Sequence, residues 1–313
     1  VRAVGEEQRV RLGVALGGGS ARGYAHLGAL ACLERNDLRP DVVVVGTSFG
    51  AVVGALYATG EAIEALIARA SAMRRRDVIP HVADFGLHRA ALFRGRRLEE
   101  YFDRLLEGRT FADLKRELVV VTTDVDTGER VLLREGRLAP ALRASASLPG
   151  VFAPVEIGGR RLIDGGIGSP VPLDTVVELG VDVALGIGAG MQARDSRSIR
   201  LAKRALATEP VRELHRRALG RRPRHALGRL GHALALAAGT WLQDDSDARD
   251  ETVRYQGERR FEVHTRPPIS WLNFDRADEA IAAGEAALGA LVPRLRRAVA
   301  GARAALPAPS AGA

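Results

Sequence analysis

The sequence predicts an α/β protein: a largely parallel central sheet with helices on both faces. Two observations carry that expectation. Short apolar runs without alternation recur at 10–16 (VRLGVAL), 41–45 (DVVVV) and 182–187 (DVALGI), as strands buried on both faces require. Glycine-rich turns then lead the first two runs straight into segments with helical spacing, the grammar of βα units.

In chain order, the strand at 10–16 enters a glycine-rich turn. From 22 to 35 the apolar residues Leu27, Leu30 and Ala31 fall at helical spacing, with Asn36 as a stop. The strand at 41–45 ends in Gly46-Thr47-Ser48-Phe49-Gly50 and restarts as the helix AVVGALYAT. Residues 61–73 read as a helix with Ala62, Leu66, Ala70 and Met73 along one side. Residues 74–97 are Arg-rich and broken by Pro80, Gly86 and Gly95, which reads as a loop or cap. Helical spacing returns over 98–107. Two strands, 117–125 and 129–134, join through Asp126-Thr127-Gly128. A short helix over 139–146 stops at Pro149-Gly150, and the strands 151–157 and 160–163 flank the hairpin signal Gly158-Gly159. After the strand at 182–187, residues 191–250 are dense in Arg and Ala and read as a helical insertion or cap. A last strand is expected over 259–264, one amphipathic closing helix over 276–295, and a frayed Ala- and Pro-rich end over 301–313.

At 313 residues with 46% hydrophobic and 27% charged residues, the chain is neither disordered nor collagen-like nor a coiled coil. The net charge is +8, and Lys115 and Lys203 are the only lysines among 46 cationic residues. Positive charge favours phosphate-bearing surfaces. The clusters Arg74-Arg75-Arg76, Arg94-Gly95-Arg96-Arg97 and 216–229 could meet lipid phosphates or stay solvated surface charge. Nucleic acid is not expected, because no recognition motif or interleaved aromatics accompany the arginines. The single cysteine, Cys32, excludes an intramolecular disulfide and reads as a buried, inert thiol. Residues 1–16 carry charges where a secretory signal needs an apolar run, and no uncharged apolar stretch of 18 residues occurs. The expected location is cytoplasmic, peripheral at the inner membrane surface.

Three glycine-framed sites carry the chemistry. Gly46-x-Ser48-x-Gly50, between a buried strand and a helix, matches a nucleophile elbow, where flanking glycines permit a tight turn and close substrate approach. Gly17-Gly18-Gly19-Ser20-Ala21-Arg22-Gly23 opens the first helix and presents backbone N–H groups to an anion. Its spacing does not fit a dinucleotide fingerprint, and no Gly-Lys-Ser/Thr follows. With a candidate nucleophile on the next strand, an oxyanion hole is the better reading, Arg22 either adding positive charge or anchoring the loop. Among the seven histidines only His264 tolerates the order of a Ser–acid–His triad. Asp164, at a strand end before Gly165 and Gly166, is the better base, against a plain turn-forming Asp-Gly.

These motifs resemble the patatin-like phospholipases, specifically their short bacterial branch, over residues 10–295, with 1–9 and 296–313 as flanking termini. GGGSARGYAHLGAL resembles the family's oxyanion block, GTSFGA its elbow and DGG its acid motif. TTDVDTGE, ASASLPGVFAPVEIGGRRLIDGGIGSPVP and FDRADEAIAAGEAAL match as well. The resemblance implies a patatin-like architecture with a Ser48–Asp164 dyad. The backbone amides of Gly18, Gly19 and Ser20, with Arg22, would form the oxyanion hole; Gly17, Gly23, Gly46, Gly50, Gly165 and Gly166 would be motif glycines. Ser20 departs from the pattern, since many relatives have Gly there. The implied activity is hydrolysis of fatty-acyl esters, phospholipids or lysophospholipids through an acyl-serine, with no metal and no cofactor, and with contact to an anionic membrane. Acyl transfer by the same dyad and a non-catalytic anion-binding role are the alternatives.

Overall fold

The computed structural model describes residues 10–38, 43–82, 84–88, 91–190, 253–255, 259–270 and 272–306. β1 (Leu12–Leu16) is buried throughout and leads through a 3-10 turn (Ser20–Tyr24) into α1 (Ala25–Arg35). β2 (Val43–Thr47) passes through Ser48 into α2 (Phe49–Ala58), followed by α3 (Ile63–Ala72) and α4 (Arg75–Val82). β3 (Phe85–His88), β4 (Ala91–Phe93) and α5 (Arg96–Leu105) come next, then β5 (Glu117–Asp124), β6 (Arg130–Leu133) and α6 (Leu138–Ser145). The chain continues with β7 (Gly150–Phe152), β8 (Val155–Ile157), β9 (Arg160–Asp164), α7 (Leu173–Glu178) and β10 (Val183–Gly188). β11 (Val253–Tyr255), β12 (Arg260–His264), α8 (Ala277–Gly289) and α9 (Val292–Ala304) complete the described elements.

Among the described residues, nine strands form the main sheet. Its centre, in the order β12-β10-β1-β2-β5, is parallel, and β11, β6, β9 and β8 join antiparallel at the flanks. Strand alternation divides the core between the two faces. Val14, Leu16 and Val44 pack with residues of α1, α2 and α8, while Ala15, Val45 and Val121 pack with Leu173 and Val176 of α7. Helices therefore cover both faces, as the sequence predicts.

One register detail positions the site. β6 occupies one edge of β5 from Val120 to Thr123. β2 lies against Glu117–Val121 and β9 against Thr122–Asp124, so both must share the opposite edge. β2 runs parallel to β5 and β9 antiparallel, and their carboxyl ends meet. Thr47 stands opposite Val121 and Asp164 opposite Thr122.

Several expectations need correction. Residues 74–97 are not a loop: they hold α4, β3 and β4, and β7 pairs with β4 to make a separate three-stranded sheet. Strands of three and four residues carry too few positions to show a period, and their partner comes from 150–152. The single helix expected over 276–295 is two. Pro293 lacks the N–H that an unbroken helix would need there, and it sits instead in the first turn of α9. α9 also runs past 295 and into the stretch read as frayed, with Ala298 and Ala302 buried. The insertion expected over 191–250 lies outside the described residues.

α1 and α8 cross at a pair of glycines. A Cβ on Gly28 would lie 1.9 Å from the Ile281 carbonyl oxygen, and one on Gly284 would lie 1.8 Å from that of Ala25. No side chain fits at either position.

Candidate active site

Ser48 sits at the turn between β2 and α2 with φ 54° and ψ −127°. A non-glycine residue in that region is strained, at a cost on the order of 1–3 kcal/mol. Its neighbours explain the flanking glycines: a Cβ on Gly46 would lie 2.4 Å from Ala51 Cα, and one on Gly50 would lie 2.3 Å from the Leu16 carbonyl oxygen. The Ser48 N–H donates to Ser145 Oγ at 2.8 Å, and Ser48 O accepts from the amide of Ala51 at 3.0 Å.

Asp164 ends β9 directly beyond Thr47. Its carboxylate is buried and accepts the Gly166 N–H at 2.8 Å, with the Ser48 side chain near enough to favour its charged form. Burial pushes its pKa from 3.8 up to about 6; the Gly166 N–H and the nearby Ser48 side chain pull the other way and are outweighed. After Asp164 the chain turns across the end of β5, where a Cβ on Gly165 would meet the Val121 carbonyl oxygen at 2.3 Å. The two members of the expected dyad are thus brought together, each at a glycine-framed strand end.

The glycine-rich loop follows β1, beside the elbow: a Cβ on Gly18 would stand 3.5 Å from Ser48 Cβ. Its first two amides are already committed. Gly17 N–H donates to Ile187 O at 2.9 Å and Gly18 N–H to Pro170 O at 3.1 Å. Gly18, expected from sequence to supply an oxyanion donor, therefore shapes the loop. The amides of Gly19 and Ser20 donate to no described residue. Ser20 takes φ 51°, a left-handed conformation in which Gly is the unstrained choice. Gly23 has no room for a side chain, since a Cβ would lie 2.5 Å from a Phe49 ring carbon.

Arg22 is buried and donates from Nε to the Ile269 carbonyl at 2.9 Å, which makes it an anchor for the loop. His26 lies within 2.8 Å of Gly17 O through Nε2, and burial lowers its pKa to about 4. At neutral pH its ring is uncharged and Nε2–H donates to that carbonyl. His264 is elsewhere. It ends β12, three strands or about 14 Å from β2, and its Nε2 faces Glu262 Oε1 at 2.9 Å.

Sequence reasoning missed two features. The first is an aromatic cluster beside the Ser48 turn: Tyr24 meets Phe49 edge-on with centroids 5.1 Å apart, and Phe274 lies 6.1 Å from Phe49. The second is the end of α6, where Ser145 bonds the Ser48 amide and Ser147 O accepts the Asp164 N–H at 3.0 Å. Both lie in segments quoted above, ASASLPGVF and FDRADEA. Of the cationic clusters, Arg76 and Arg96 are exposed and lie near Asp77 and Glu100, while 216–229 falls outside the described residues. Among the described residues no helix is long and apolar enough to cross a membrane.

A mixed sheet with helices on both faces, carrying a serine elbow end to end with a buried aspartate, defines the class: an α/β protein with a Ser–Asp pair. The chain belongs to the patatin-like phospholipase family, whose model matches residues 14–177. An uncharacterized NTE family protein of Mycobacterium tuberculosis is 32% identical over 178 residues, 56% of this chain and 48% of the relative. A patatin-like phospholipase domain-containing protein of Caenorhabditis elegans is 32% identical over 183 residues, 57% of this chain and 14% of the relative. The chain thus matches about half the length of the mycobacterial relative and less of the nematode one. VipD from Legionella pneumophila superimposes with a TM-score of 0.46 at 16% identity, covering 91% of this chain and 67% of that one.

Proposed function

We propose that the chain hydrolyses carboxylic esters of fatty acyl groups, phospholipids or lysophospholipids, through an acyl-serine intermediate. The observation that carries this reading is a strained, turn-borne Ser48 set end to end with a buried carboxylate at the tip of the neighbouring strand, its pKa raised to about 6. A carboxylate raised to that value is ionised at neutral pH and is a stronger base than a solvated one.

Ser48 Oγ attacks the ester carbonyl carbon while Asp164 takes its proton. The amides of Gly19 and Ser20 receive the oxyanion, with α2 behind the elbow adding its N-terminal dipole. The intermediate collapses, the alcohol leaves with the proton from Asp164, and acyl-Ser48 remains. Water, deprotonated by Asp164, repeats the sequence and releases the acid. The cluster of Tyr24, Phe49 and Phe274 offers an apolar wall to the acyl chain. The exposed arginines offer contact to anionic lipid, a reading in which binding to anionic vesicles weakens steeply from low to physiological salt.

A fluorophosphonate probe with mass mapping of the adduct tests the assignment. The adduct is expected on Ser48 alone, and Ser48→Ala should fold and lose both label and turnover. Ser145 and Ser147 are wholly buried; an adduct on either, or turnover retained by Ser48→Ala, sinks the reading.

A further inference from the structure

The end of α6 touches both members of the pair. Ser145 accepts the Ser48 N–H at 2.8 Å and donates its own hydroxyl to the Val121 carbonyl at 2.7 Å, tying the nucleophile's backbone to β5. Two residues on, Ser147 O holds the Asp164 N–H. The Ser147 hydroxyl donates to Arg143 O at 2.6 Å and accepts from the Arg143 guanidinium. That guanidinium, 2% exposed, donates also to Gly95 O at 2.8 Å, to Ala153 O at 2.9 Å and to Arg94 O. Its hydrogen-bond partners are carbonyl and hydroxyl oxygens, and burial lowers its pKa to about 10, which still leaves it charged at neutral pH.

A buried charge held by neutral oxygens is costly, and this one sits beneath the residues that hold Ser48 and Asp164. A strained backbone such as that of Ser48 persists only where its surroundings over-determine it.

We propose that Ser145 is a positioning residue for the Ser48–Asp164 pair, fixing the nucleophile's backbone while Ser147 and Arg143 fix that of the base from the same helix end. The inference rests on the hydrolase reading above. Ser145 takes no proton and touches no substrate. Its hydroxyl sets where Ser48 Oγ points, and a misplacement of about 1 Å in such a contact costs on the order of 100-fold in rate.

The test compares Ser145→Ala, Ser145→Cys, Ser145→Thr and Thr265→Ala on a p-nitrophenyl ester, with kcat expressed per Ser48 that the fluorophosphonate probe labels at completion. Thr265 is an equally buried hydroxyl on Gly188 O, at the β10–β12 edge away from the pair. Ser145→Ala should lower kcat about 10- to 100-fold with KM within about threefold and label more slowly. Ser145→Cys, close in size but a weak acceptor, should behave likewise, and keeps the test open if alanine fails to fold. Ser145→Thr restores the hydroxyl and should recover most of kcat. Thr265→Ala should lower the urea midpoint and leave kcat per labelled serine unchanged. The proposal is overturned if folded Ser145→Ala and Ser145→Cys keep wild-type kcat per labelled serine, or fall no further than Thr265→Ala. Turnover surviving Ser48→Ala would instead overturn the hydrolase reading.

Discussion

Ser48, the proposed nucleophile, and Asp164, the proposed base, are held by different means. Around Ser48 the structure is built from absence: Gly23, Gly46 and Gly50 each sit where a Cβ would collide with backbone or ring, and Gly28 and Gly284 let α1 and α8 meet at backbone distance. Around Asp164 it is built from hydrogen bonds, through Gly166, Ser147 and the buried Arg143, and Ser145 on the same helix end extends that network to the Ser48 amide. Close packing cannot relax without moving whole elements, whereas a hydrogen-bonded network loses one contact at a time. The glycine half should therefore fail by unfolding and the polar half by losing rate.

The largest expected effect is on the polar side. Asp164→Asn keeps the side chain's shape and removes the base, so turnover should fall about 100- to 10,000-fold; His264→Ala, on a distant strand, should stay within a few-fold. The reverse pattern, measured at matched folded concentration, would show a triad instead.

On the glycine side, Gly284→Val forces a side chain into the Ala25 carbonyl and should cost about 3 kcal/mol or more, with activity lost only as the fold is lost. A urea titration checks this. A folded but inactive Gly284→Val would break the comparison.

Asp164 also links rate to stability. Its folded pKa of about 6 lies above the ordinary value of 3.8, so folding is favoured while the group is protonated. That contribution is complete below about pH 3.8 and is lost as pH rises through 6, a span of about 3 kcal/mol. Turnover should follow the opposite course, rising through an acid limb near pH 6. Asp164→Asn should accordingly raise the urea midpoint over wild type at pH 8, with the gap closing toward pH 4. An equal midpoint at pH 8 would remove the case for a costly buried carboxylate.

The smallest effect is expected at Ser20. Ser20→Gly removes a left-handed strain of about 1 kcal/mol but frees the unfolded chain, so stability should move by less than about 1 kcal/mol. Turnover should stay within a few-fold, because the proposed donor is the backbone amide. A large loss would mean that the hydroxyl takes part.

The contrast explains what was legible. Gly46, Gly50 and Gly165 could be read because backbone collisions demand glycine, and the demand shows as a motif beside an apolar strand. The parallel centre was legible because strands buried on both faces carry continuous apolar runs. Ser145 and Ser147 gave no comparable signal, since a serine at a helix end is ordinary and its partners are 97 and 17 residues away. That β2 and β9 share one edge of β5 was hidden too, because register belongs to pairs of strands. The commitment of the Gly18 amide to Pro170 was hidden for the same reason.

The anchoring of the glycine-rich loop has a consequence for the order in which the molecule is made. Arg22 donates its Nε–H to the Ile269 carbonyl, 247 residues later in the chain. A ribosome working at ~5–20 residues per second needs roughly 12–50 s to cover that distance. For most of that interval the nascent chain already contains Ser48 and, for roughly its last two-fifths, Asp164, while α8 has not arrived to close against Gly28 and Ile269 is not yet there to anchor Arg22. A site proposed to cut lipid esters is therefore completed only once Ile269 and α8 have been made, and until then the proposed oxyanion loop lacks that anchor.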